Sequence, residues 1–264
     1  MKYFLRKLLK GRIWRKIFVE RLSEPIHLNF ISLFILMFGS LKKKVDFDLV
    51  IRPQHAYGIL ESALMAKQMG IKSISIIEFG VASGAGLLNM ISISKRVTRA
   101  TGVQVQIYGF DTGKGMPKPV DFRDHPDLYN HGDFPMNRAL VEKAIEGKAK
   151  IIFGEIKDKI VEFGKGLDPQ SPIAFVSVDV DYYSSAVDAL KIFDLPAACY
   201  LPLVRIYFDD TSLLYHNSLC GELLAIKEYN NRNSRRVIER HEFFEKSRIF
   251  KNALWLNQIY FCHV

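Results

Sequence analysis

From about residue 50 to the end, short apolar runs alternate with amphipathic stretches, and no other feature restricts the fold as strongly. "SISIIEFG", "VQVQIYGFD", "AKIIFG", "IAFVSVDV" and "VRIYFDD" read as strands, rich in β-branched and aromatic residues. Before and between them, "AYGILESALMAKQMG", "GLLNMISISKRVTRATG", "NRALVEKAIEG", "KDKIVEFGKG", "SSAVDALKIFD" and "CGELLAIKEYNNR" carry helical periodicity. The first of these stops at Gly70, a suitable C-cap. Strands joined through helices pair in parallel and need cover on both faces. The expectation is an α/β fold, a doubly wound, mostly parallel, Rossmann-like sheet with helices on both faces. The tail "SRIFKNALWLNQIYFCHV" is expected to add a C-terminal antiparallel hairpin turning at "KNA". Ligands of such sheets gather at the carboxyl ends of the strands.

Charge divides the chain in two. Residues 1–44 hold eleven Lys and Arg against Glu20 and Glu24, a net of +9. The other 220 residues hold 26 basic and 26 acidic groups, so the whole excess of 37 over 28 belongs to the start of the chain. We therefore expect a basic and apolar helical extension, 1–45, followed by one domain, 46–264. In "YFLRKLLKGRIWRKIFVERL", Phe4, Leu8, Ile13, Trp14 and Ile17 fall near one helical face opposite Lys and Arg. That pattern suits a helix lying on an anionic membrane surface, or equally a basic helix packed on the body. The uncharged run "LNFISLFILMFGSL", 28–41, is shorter than the roughly 20 residues that a spanning helix needs. A buried or interfacial helix is expected there. The run also lacks the charge pattern and cleavage site of a signal peptide. No recognition motif accompanies the basic residues, which argues against nucleic acid as partner. Cys199, Cys220 and Cys262 form no C-x-x-C pair, so neither a disulfide frame nor a zinc site is expected. A cytoplasmic location follows, with peripheral contact at the inner face of the membrane as its extension.

The chemistry-bearing residues stand at the strand ends. The first strand runs into "EFGVASGAG", in which Glu78, Gly80, Ala82, Ser83, Gly84 and Gly86 form a turn that a ligand can approach closely. Its spacing is not the G-x-G-x-x-G dinucleotide fingerprint. The second strand ends in "GFD", where Asp111 can accept hydrogen bonds from both hydroxyls of a ribose. Asp179 and Asp181 end another strand, spaced two apart and so on one side of it, and Asp209 and Asp210 end the next. Four carboxylates meeting in one small region need a cation or a proton, and Mg²⁺ or a similar divalent ion prefers such oxygen ligands. The plain alternative is that Asp181 or Asp210 caps the following helix, with Ser184 an equally good cap. The loop "DFRDHPDLYNHGDFPM", 121–136, should overhang this end as a lid or a packed excursion, and it carries His125 and His131.

"EFGVASGAG", "YGFDTGKGMP", "VSVDVDYYSSAVDAL" and "YFDD" together resemble class I S-adenosylmethionine-dependent methyltransferases, nearest to the macrocin O-methyltransferase family. The resemblance covers about residues 74–264. It implies a cofactor, S-adenosylmethionine, held by Glu78, Gly80, Ala82, Ser83 and Gly84, with Asp111 on its ribose. It also implies Mg²⁺ on Asp179, Asp209 and Asp210, with Asp181 as the base that takes a proton from the acceptor. His125 and His131 are runner-up bases. The implied partner is a small-molecule hydroxyl acceptor, sugar-containing in that family, with a homo-oligomer as a further expectation. Ala82, where many methyltransferases have glycine, the long loop 121–136 and "DLPAACYLPLVR" depart from the family pattern. A metal-dependent glycosyltransferase would use the D-x-D at 179–181 but leaves the glycine turn and Asp111 idle. A nicotinamide oxidoreductase leaves the acidic cluster idle. A non-catalytic, membrane-associated S-adenosylmethionine-binding protein would keep the fold without turnover.

Overall fold

The computed structural model describes residues 20–212, 217–241 and 243–264. The expected amphipathic helix with Trp14 therefore lies almost wholly outside the described residues. Seven strands form one sheet: β1 (Ser73–Phe79), β2 (Gln104–Asp111), β3 (Lys150–Phe153), β4 (Ile173–Val178), β5 (Tyr200–Phe208), β6 (Ile238–Glu239) and β7 (Ile259–His263). Their order is β3-β2-β1-β4-β5-β7-β6. The pairs from β3 through to β5 are parallel, and β7 runs antiparallel to both β5 and β6.

Every residue of β4 is buried, as a parallel strand covered on both faces must be. Alternation along β1 divides the core: Ile74 and Ile76 face one helical layer, Ile77 and Phe79 the other. The first layer contains α3 (Pro53–Gln68), α4 (Ala85–Thr101) and α5 (Arg138–Ile145). The second contains α6 (Ile156–Lys165), α7 (Tyr183–Leu190) and α8 (Gly221–Arg232). Two helices precede them, α1 (Ile26–Phe38) and α2 (Leu41–Asp46), and a single turn, α9 (Phe244–Ser247), follows.

The antiparallel end of the sheet is present, but not as a hairpin through "KNA". The partner of β7 is β6 at 238–239, and residues 248–251 form no strand. Tertiary contacts claim that segment instead. Phe250 packs edge-on to Phe47, while the Arg248 guanidinium donates to the Val45 carbonyl and to Asp48. "LWLNQ" turns as a 3-10 helix with Trp255 buried.

Candidate active site

The chain leaves β1 toward β2 and returns beyond it to β4, so a crevice opens between the carboxyl ends of β1 and β4. Backbone hydrogen bonds continue one step past the strands across this end. Gly154 N–H donates to Asp111 O (3.1 Å), Gly80 to Phe110 O (3.0 Å), Asp179 to Phe79 O (3.0 Å) and Asp209 to Val178 O (3.0 Å). The acidic residues thus stand on a paired shelf rather than on free loops. A cavity of about 300 Å³ sits on it, lined by Arg52, Glu78, Gly80, Asp111, Asp179 and Asp209 among others.

The glycine turn is shaped by close approach. A Cβ on Gly80 would collide with the backbone oxygen of Asp179, and one on Gly86 with the Glu78 carboxylate. Ala82 adopts φ 45°, a left-handed conformation that costs a non-glycine residue roughly 1 kcal/mol. It is held there by its N–H, which donates to Asp111 Oδ2 (2.8 Å). Asp111 Oδ1 accepts from Gly113 N–H (2.6 Å), so this carboxylate ties the first two turns together and keeps lone pairs toward the cavity. Glu78 is buried, and Oε2 has no hydrogen-bond partner among the described residues. Burial first, then the charge of Asp179, pushes its carboxyl well above the usual range, while Arg52 opposes the shift.

Carboxylate oxygens of Asp179, Asp181 and Asp210 lie within 4.8 Å of one another, a spacing that can hold a metal ion. Asp210 is buried with Oδ2 unpartnered among the described residues, and desolvation followed by the charges of Asp181, Asp209 and Asp179 raises its pKa well above the ordinary value. Asp181 takes φ 57° at the turn and also titrates high, chiefly through burial, with Tyr129 hydrogen-bonded to its carboxylate. Asp209 lines the cavity, but its side chain accepts from the Tyr207 hydroxyl and its backbone oxygen from Gln258. The structure thus groups Asp181 with Asp179 and Asp210, and turns the Asp209 carboxylate toward Tyr207.

Neither Asp181 nor Ser184 caps α7. Asp124, fully buried in the overhanging loop, does so from a distance, accepting from Ser184 N–H (2.8 Å) and Ser184 Oγ (2.9 Å). The same carboxylate accepts from Val120 N–H (2.8 Å), so the loop is pinned at this point. His125 beside it is buried and near enough for its charge to act on Asp181, whereas His131 is exposed and bonds through Nδ1 to the Met116 carbonyl (3.0 Å). Ser83, Gly80 and Ala82 line the cavity with the rest of the turn. Gly84 is the N-cap of α4.

Four contributors escape a reading of the sequence: Arg52, Asp124, Tyr129 and Glu222. Glu222 is fully buried on α8 and its Oε2 accepts from Asp210 N–H (3.0 Å), which fixes the Asp209–Asp210 turn. Only Arg52 had a local signal, a cation directly before the Pro53 that starts α3, in a left-handed conformation with φ 51°.

Solved structures share this architecture. The calicheamicin methyltransferase CalS11 superposes with a TM-score of 0.53 at 16% identity, covering 90% of this chain and 91% of that one. The O-methyltransferase NovP gives a TM-score of 0.50 at 14% identity, covering 80% and 79%. The chain has the methyltransferase fold. No family profile matches its sequence, and no curated protein does.

Proposed function

We propose that this chain is an S-adenosylmethionine-dependent, divalent-metal-assisted O-methyltransferase of the macrocin O-methyltransferase type. Its acceptor would be a hydroxyl on a sugar or a glycosylated small molecule. One observation carries the reading: the glycine turn with Asp111 and the carboxylates of Asp179, Asp181 and Asp209 line a single cavity. A glycosyltransferase would need only the second half of that lining.

The residues fit both groups that the reading invokes. For the cofactor, the cradle at Gly80 and Gly86 admits no Cβ, and unpartnered Glu78 Oε2 stands beside it. S-adenosylmethionine supplies a methyl group on a positively charged sulfur, already an electrophile. Asp111 takes its ribose hydroxyls, while Glu78 and Arg52 face the ammonium and carboxylate of its amino-acid end. For the cation, three hard oxygen donors within 4.8 Å and the unpartnered Asp210 Oδ2 are the fitting set. A divalent ion there supplies positive charge that lowers the pKa of a nearby hydroxyl. Asp179 and Asp210 would hold it, with Asp209, whose carboxylate accepts from the Tyr207 hydroxyl, as the third carboxylate of the reading. Asp181 would serve as the base that takes the proton of the acceptor hydroxyl. The loop 112–137, pinned by Asp124, shields this exchange from water.

Calorimetry with S-adenosylmethionine, a UDP-sugar and NAD tests the reading. Binding of the sulfonium alone is expected. Tight binding of the nucleotide sugar without the sulfonium would overturn it.

A further inference from the structure

Helix α1 breaks the rule that an apolar helix is a buried one. Its sequence IHLNFISLFILMF holds no charged residue, yet only Ser32 and Ile35 are buried. Phe30, Phe34, Met37 and Phe38 are 66%, 64%, 66% and 72% exposed, and Leu33 and Leu36 more than half exposed. These residues surround most of the helix, so an ordinary amphipathic seating is ruled out. One narrow edge meets the body, where Ile35 and Leu28 join Phe47, Leu49, Ile249 and Phe250. The attachment is firm nonetheless. Glu24 Oε1 accepts from the N–H of Lys251 (2.5 Å) and of Asn252 (2.7 Å), and the Arg21 guanidinium donates to Phe47 O (2.7 Å) while lying over the Phe250 ring. The helix is therefore presented by the domain in a set direction.

Length and charge choose among the occupants. Thirteen residues span about 20 Å, short of the roughly 30 Å of a bilayer core. No helix among the described residues is long and apolar enough to cross a membrane. The apolar surface belongs to the same 44 residues that hold eleven Lys and Arg against two acidic groups. Lys42, Lys43 and Lys44 follow on α2, immediately beyond the bend at Gly39. A second copy of the chain would carry the same net charge of +9, which opposes association. A surface that is apolar below and anionic above satisfies both features.

We propose that α1 seats this protein on an anionic membrane surface, its phenylalanines and Met37 among the acyl chains and Lys43 and Lys44 of α2 at the headgroups. The proposal is independent of the reaction. It is tested with the full chain by sedimentation with vesicles of equal phosphatidylglycerol and phosphatidylcholine, and with phosphatidylcholine alone. The wild type should pellet with the anionic vesicles at low salt, with partition falling as salt rises. Phe34→Ser with Met37→Ser should lower the partition coefficient at least tenfold while leaving the circular dichroism unchanged, since both side chains are solvent-exposed. Lys43→Gln with Lys44→Gln should flatten the salt dependence. A wild type that stays in the supernatant, or equal pelleting on phosphatidylcholine alone, would overturn the proposal. So would a Phe34→Ser/Met37→Ser protein that pellets like the wild type, which would assign the binding to residues 1–19. Conversion of a lipid-free wild-type dimer to a monomer by the same pair would assign the face to a second copy.

Discussion

At the crevice between β1 and β4 this protein buries carboxylates, whereas along α1 it exposes phenylalanines to water. Both placements are costly, and the fold carries them in different ways. Glu78, Asp210 and Glu222 are surrounded by strand ends and helices that would have to come apart before they could reach solvent. Their ionised forms are strained where they stand, so the site gains from whatever positive charge enters it. Helix α1 has no such enclosure, being held along one edge and by the contacts of Glu24 and Arg21. An interior charge therefore points to a small ligand that completes a core, and an exterior apolar face points to an extended phase. On that reasoning, substitutions at either place should leave the other's behaviour intact.

The largest effect should come from the acidic cluster. Asp179→Asn keeps shape but removes one charged donor, and is expected to lower kcat on the order of 10²–10⁴-fold and to abolish the response to Mg²⁺. Its vesicle binding should match wild type. Asp181→Asn should retain metal and cofactor binding while slowing the chemical step, a split that separates base from ligand. If Asp209→Asn leaves Mg²⁺ binding intact and Asp181→Asn abolishes it, the two carboxylates exchange roles.

Next is Arg52→Gln. Loss of one charge-assisted contact of roughly 1.5–3 kcal/mol should raise KM for S-adenosylmethionine about 10- to 100-fold with a smaller change in kcat. A kcat loss without a KM change would remove Arg52 from the cofactor's amino-acid end. Thermal unfolding with and without Mg²⁺ gives a smaller, signed effect. Asp181, Asp210 and Glu222 all titrate above their ordinary values in the folded chain. Their contribution to stability is fully present below the unfolded carboxylate range and is lost as pH rises through the folded values. Stabilisation by Mg²⁺ should accordingly be greater at pH 8 than at pH 5, reaching about 2.7 kcal/mol at a hundredfold excess over Kd. An equal Tm shift at both pH values would break the link between cation and cluster. Smallest is Ala82→Gly, which relieves the left-handed alanine and should add about 1 kcal/mol in chemical denaturation. Failure to stabilise would mean that the Asp111 contact, not the methyl group, sets the energy of that turn.

Sheet, strand ends and acidic pairs were legible because each is encoded locally. Short apolar runs rich in β-branched and aromatic residues mark the strands, and a carboxylate directly after such a run marks its carboxyl end. Glu78, Asp111, Asp179 and Asp209 could be placed this way. Asp124 capping α7 from 60 residues away, and Glu222 holding the amide of Asp210 from the next helix, are contacts between segments with no shared pattern. "SRIF" failed for the same reason. Its alternation resembles a strand, but Arg248 and Phe250 are bound to the α2 region some 200 residues earlier. The apolar run at 28–41 had only two expected states, buried or interfacial, and the sequence alone could not choose between them.

If the proposed function holds, the shelf of backbone hydrogen bonds from Gly154 through Gly80 and Asp179 to Asp209 has a consequence for changing the acceptor. Glycine turn and acidic pair are neighbours on adjoining strands, in contact closely enough that Gly80 leaves no room for a methyl beside Asp179. Neither can be retuned alone, since moving one drags the other's backbone with it. Redesign for new acceptors should therefore leave this row untouched and recombine the loop between β2 and α5, keeping Asp124 as the graft's fixed point.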